Sequence, residues 1–172
     1  MLELRGHHSN LHNSFQIGFE IQLFEKKGLI RFKVSRQDKL EWHTSSHFSA
    51  GPRGNWGLWN YDVVEVFLMP AKQTSYQYQE IQVSPLNQTF ALNIISPRKV
   101  FYSPLKTEYR TRVRQSENIW TSEIEVNQSI KNYQIGAFAC LGETREFYSL
   151  NPNLEENPDF HRPELFLRVN KL

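Results

Sequence analysis

From Phe15 to Leu23 every odd position is apolar and every even one is polar or glycine. Side chains of an extended chain alternate between two faces, so this spacing predicts a strand with one buried face. Lys26-Lys27-Gly28 reads as a turn, and Ile30, Phe32 and Val34 then alternate with Arg31 and Lys33, predicting a hairpin with the first strand. Short alternating, β-branched or aromatic runs return at 39–42, 63–68, 76–83, 90–95, 100–102, 108–114, 119–126, 135–141, 146–150 and 165–169. Many short strands with regular turn signals predict an all-β chain, a sandwich or a barrel.

The segment from Glu108 to Val126 carries a sharper expectation. A four-residue loop, Gln115-Ser116-Glu117-Asn118, would place Arg114 opposite Ile119, Val113 opposite Trp120, Tyr109 opposite Ile124 and Arg110 opposite Glu123. Trp120 is then a core residue, and Arg110, Arg112 and Arg114 find their counter-charge within the hairpin. No long amphipathic helix is evident; residues 127–133 could form one or two helical turns. Residues 43–61, with four glycines or prolines between 51 and 57 and two tryptophans, read as an ordered loop.

At 172 residues the chain fits one domain, assigned to 15–172 behind a flexible tail at 1–14. Twenty basic and 18 acidic residues leave a net charge of +2, too small a surplus for a phosphate-binding surface, so no nucleic-acid partner is expected. No apolar run approaches the roughly 20 residues that cross a bilayer, and the start lacks the order of a secretion signal. The expectation is therefore no membrane partner and a cytoplasmic protein, secreted only if a leader has been removed. A lone cysteine, Cys140, agrees with a reducing compartment and reads as a buried, inert thiol in an apolar strand.

Catalytic signatures are weak. No nucleophile elbow or phosphate-cradling glycine loop appears, and the expectation is that the chain is not an enzyme. Asp62 and Glu65, or Glu123 and Glu125, could pair as carboxylates, but solvated or salt-bridged acids are the simpler reading. His7, His8 and His12 lie in the tail, and His43, His47 and His161 are dispersed, so no metal centre is expected. The aromatic loop says more: Trp56-Gly57-Leu58-Trp59-Asn60-Tyr61-Asp62 holds two indoles and a phenol within six positions. Sugar C–H faces pack on aromatic rings while carboxylates, amides and guanidinium groups bond the hydroxyls. The competing reading is that the tryptophans cap the open end of the core.

The string Gly57-Leu58-Trp59-Asn60-Tyr61-Asp62-Val63-Val64-Glu65-Val66-Phe67-Leu68, followed by Tyr76-Gln77-Tyr78-Gln79-Glu80-Ile81-Gln82-Val83-Ser84-Pro85, resembles DOMON-like proteins related to the family-9 carbohydrate-binding modules. Ile119-Trp120-Thr121-Ser122-Glu123-Ile124, Tyr133-Gln134-Ile135-Gly136-Ala137-Phe138 and Asp159-Phe160-His161-Arg162-Pro163-Glu164-Leu165-Phe166 continue the resemblance in order. It implies an antiparallel β-sandwich of the jelly-roll kind, with a carbohydrate ligand clasped between two aromatics in a cleft at one end. By position, Trp56 or Trp59 is the first platform, and Phe160 or His161 stands where secreted members tend to place a tryptophan. Asp62, Arg98, Asn153, Asn157 and Arg162 complete the candidate ligand-binding set. The resemblance also implies structural calcium, although no compact acidic cluster is evident. Two other classes stay open: a b-type haem domain held by Met69 and His161, and a structural or protein-interaction sandwich.

Overall fold

The structure is a computed structural model and describes residues 2–7, 14–36, 41–51, 54–71, 77–102, 108–141, 144–150 and 159–168. Its strands, in chain order, are β1 (Leu2–Glu3), β2 (Arg5–Gly6), β3 (Phe15–Phe24), β4 (Lys27–Arg36), β5 (Val63–Pro70), β6 (Tyr78–Val83) and β7 (Thr89–Ser96). They continue with β8 (Val100–Tyr102), β9 (Tyr109–Gln115), β10 (Ile119–Val126), β11 (Ile130–Leu141), β12 (Thr144–Ser149) and β13 (Leu167–Arg168). A smaller sheet runs β1-β3-β4-β10-β9, and a larger one runs β2-β12-β11-β5-β6-β7-β8 with β13 beside β11. Their pairings are antiparallel, and the architecture is an antiparallel β-sandwich. Among the described residues no helix is long and apolar enough to cross a membrane.

The core between the sheets follows from the alternation. Phe15, Ile17 and Phe19 of β3, Ile30, Phe32 and Val34 of β4, and Trp120, Ile124 and Val126 of β10 meet Val64, Val66 and Leu68 of β5 with Ile81 and Val83 of β6. Strands β5 and β6 are buried on their second face as well. Val63, Phe67 and Met69 point away from the smaller sheet into a separate apolar cluster with Leu58, Tyr78, Phe90, Leu92, Phe160 and Phe166. An uninterrupted apolar run is the mark of a strand covered on both sides.

Several expectations shift. The first hairpin turns at Glu25–Lys26, one residue early, because Phe24 pairs with Lys27. The β9–β10 hairpin closes on a two-residue loop: Ser116 N–H and Oγ both donate to the Ile119 carbonyl, at 2.8 and 3.1 Å. Trp120 therefore lies opposite Gln115, and Val113 opposite Ser122. Both strand faces are kept, so Trp120 is still buried at 1% exposure. Arg112 now faces Glu123, whose carboxylate also takes Arg31 of β4 at 3.0 Å, so the counter-charge comes partly from outside the hairpin.

No helical turn forms at 130–133, because Ile130 is buried and β11 continues along β5 from that residue. Glu41 and Trp42 carry no strand, and Leu165 ends a 3-10 turn instead of starting the last strand. Residues 2–7 are not a tail: β1 edges the smaller sheet, β2 edges the larger, and Leu4 between them is buried in the core. His7 is buried, with Nε2 3.1 Å from the Ser149 hydroxyl. His8, His12, Asn153 and Asn157 lie outside the described residues, as does the side chain of Cys140.

Candidate functional site

A recess of about 400 Å³ lies over the outer face of the larger sheet, the face turned away from the smaller one. Its floor is strand-borne: Glu65 from β5, Glu80 and Gln82 from β6, and Phe90, Leu92 and Ile94 from β7. One wall is the loop that carries Trp56 and Trp59; the facing wall is the segment Asp159, Phe160 and His161. Arg98, in the turn between β7 and β8, and Phe101 of β8 close one side. The expected cleft at an open end of the sandwich is thus corrected to a cleft on a sheet face. Burial of both β5 faces is the physical reason, since two loops fold across the sheet to cover it.

Local chemistry fixes the tryptophan wall. Asn55 is buried and ties the loop down, donating from Nδ2 to the Ser49 and Thr89 carbonyls at 2.9 and 3.0 Å. Gly57 then adopts φ +90°, a left-handed value that a side chain rarely tolerates, and starts a 3-10 turn over Leu58–Asn60. Leu58 is fully buried and anchors that turn. Trp56 and Trp59 stack edge to face, with centroids 5.0 Å apart, and both rings rest on Phe90 at 5.6 and 5.2 Å. Trp59 is half-buried, whereas Trp56 keeps 60% of its surface exposed beside Phe101.

The facing wall mixes apolar and charged groups. Phe160 is buried against Phe67, and His161 lies over Phe67 with centroids 5.4 Å apart. Nδ1 of His161 is 2.8 Å from the Tyr78 hydroxyl, and Nε2 is 3.8 Å from Glu80 Oε2. Burial, reinforced by the Glu80 charge, pushes the Tyr78 hydroxyl well above its ordinary range, so the phenol stays neutral beside the imidazole. Asp159 pairs with Arg98 and accepts from the His161 backbone N–H at 3.0 Å.

Two carboxyls lie beneath these walls. Glu65 is pushed well above the usual carboxylate range by burial, with the Glu80 charge adding and Arg145 opposing. Glu80 is raised by burial too, against the pull of His161 and a 2.6 Å hydrogen bond from Gln82 Nε2. In the β5–β6 register Glu65 faces Gln82 and Phe67 faces Glu80, which makes the two acids diagonal neighbours on one face. Arg145 of β12 lines the recess and donates to the Trp59 carbonyl.

Of the expected ligand-binding residues, Trp56, Trp59, Arg98, Phe160 and His161 line this recess. Arg162 lines a neighbouring groove with Glu164, 2.9 Å from its Nε. Asp62 is corrected to a structural role. It is 2% exposed, accepts the His43 N–H at 2.8 Å and lies 3.9 Å from buried Arg36, whose guanidinium also covers the Phe15 and Trp42 rings.

Sequence reasoning missed Glu80, Gln82, Phe90 and Phe101, and it took Glu65 for a solvated or salt-bridged acid. A signal existed for Glu65: a carboxylate inside the run Val63–Leu68 must share the burial of that run. Strand β6 carried none, because Glu80 and Gln82 alternate with Ile81 and Val83 as a solvent face would.

The haem reading does not fit these residues. Met69 is buried with its sulfur 3.5 Å from Asn132 Nδ2, and both ring nitrogens of His161 face protein groups. For the calcium implied by the resemblance, the described residues hold no group of three or more acidic, His or Cys side chains placed to hold a metal ion.

No family model matches the chain. A solved structure from Bacteroides uniformis, described as a "putative carbohydrate-binding protein", shares 14% identity over 89% of this chain and 77% of its own, with a TM-score of 0.62. At that identity the likeness concerns the fold. Two relatives are similar in sequence, each a UPF0462 protein C4orf33 homolog. The Danio rerio protein is 31% identical over 155 residues and the Rattus norvegicus protein 30% over 157, each match spanning 80% of this chain and 77% of the relative. The chain belongs to the UPF0462 family.

Proposed function

We propose that the chain is a non-catalytic carbohydrate-binding module, akin to the family-9 and DOMON-like sandwiches, that takes a sugar or sugar terminus in the aromatic recess. The observation that carries this reading is Trp56, which keeps 60% of its surface in water at the mouth of the recess. An indole left exposed beside a recess offers its face to the axial C–H groups of a sugar ring. Trp59 and Phe101 extend that platform, while Arg98, Asp159 and His161 supply polar groups across the opening. The volume, about 400 Å³, falls among small-ligand sites of roughly 300–1,000 Å³. The Bacteroides uniformis protein supports the reading by likeness of fold.

Titration with mono- and disaccharides to millimolar concentration, read by tryptophan emission, tests it. The emission of the native chain should change, and Trp56→Ala should abolish the change while unfolding at the same denaturant concentration. No response to any sugar overturns the reading.

A further inference from the structure

The recess floor offers hydrogen-bond acceptors and withholds donors. Glu65, Glu80 and Gln82 are 2%, 4% and 2% exposed and all line it. Gln82 spends an Nε2 proton on Glu80, and its own Oε1 has no partner among the described residues. Burial and neighbouring charges act on the Glu65 carboxyl, and among the described residues no hydrogen bond reaches it. Nearby cations are engaged at the edges: Arg98 with Asp159, Arg145 with the Trp59 carbonyl, and His161 between Tyr78 and Glu80.

A neutral hydroxyl can donate into such a floor, but it adds no opposing charge and brings lone pairs of its own. An ammonium group has three donors, no acceptor and the matching charge. The walls favour it as well, since Trp56, Trp59, Phe90 and Phe101 line the recess and aromatic rings attract cations.

We propose that the recess selects a ligand carrying a protonated amine, an amino sugar over a neutral one, with the ammonium seated above Glu65 and Glu80. The sugar part of this assignment rests on the proposed function; the amine part rests on the floor. Burial holds both carboxyls above their ordinary range, and an ammonium seated beside them favours their charged forms.

Calorimetry and tryptophan emission at neutral pH, with glucosamine, N-acetylglucosamine, glucose and cyclohexylamine, separate the two parts. Glucosamine should bind at least tenfold more tightly than glucose or N-acetylglucosamine. Glu65→Gln and Glu80→Gln should each bring that preference to within about twofold. Equal affinity for glucosamine and glucose overturns the amine assignment and leaves the sugar reading standing. Cyclohexylamine binding without any sugar does the reverse, and no binding by any of the four overturns both. The comparison among ligands on the native chain needs no variant, so a failure of Glu65→Gln to fold leaves the test intact.

Discussion

The two faces of β5 are built from one backbone and buried to the same degree, yet they differ in kind. Toward the smaller sheet, Val64, Val66 and Leu68 meet apolar partners. On the outer side, Val63, Phe67 and Met69 are covered by loops, and Glu65 stands in their midst. Between the sheets a buried charge is taken up by protein partners, as Glu146 is by Ser14 and Tyr148, whereas loops crossing a sheet can leave a recess where a buried carboxyl faces an opening. Burial alone therefore does not separate structural from functional positions. What covers the residue does.

Four substitutions sharpen or break that contrast. Trp120→Ala empties the largest fully buried side chain of the inner core and should cost about 3–5 kcal/mol in denaturant unfolding, with sugar affinity unchanged in the folded fraction. Asp62→Ala removes the acid beside buried Arg36 and should cost about 3 kcal/mol, again without changing ligand affinity; a selective loss of binding would return Asp62 to the site.

Glu65→Gln should instead stabilise the fold at neutral pH, by on the order of 1 kcal/mol or about 2–4 °C in Tm. Its carboxyl is raised on folding, so the native chain loses stability as pH rises from the ordinary value of 4.5 through the raised one. The advantage of the variant should accordingly vanish below about pH 4.5 and grow above it. A gain independent of pH would mean that the carboxyl is not desolvated. Trp56→Ala should have the smallest effect on stability, within about 0.5 kcal/mol, because the ring is 60% exposed; a large loss would make Trp56 a cap of the outer cluster.

Alternation in β3, β4 and β10 revealed the inner core directly, because one face of each strand meets apolar side chains and the other meets water. The β9–β10 register escaped by one residue on each strand, since Ser116 closes the turn through its hydroxyl and N–H, a preference that strand periodicity does not encode. At the site, Trp56, Trp59, Arg98, Phe160 and His161 were legible from residue type and resemblance. Asp62 misled because it follows the tryptophans in sequence while turning back toward Arg36. Glu80 and Gln82 stayed hidden for a different reason: a polar strand face reads alike whether water or a pair of distant loops lies above it.

The double burial of β5 also has a dynamic consequence. Its amides are laddered to β6 on one side and β11 on the other, so exchange with deuterated solvent requires one of the covering layers to open. A compound lodged above Glu65 secures the outer layer by mass action. Slowed exchange along β5 and β6, with β3 and β4 unchanged, would then report occupancy at the level of the backbone, even for a compound that leaves both indoles dark.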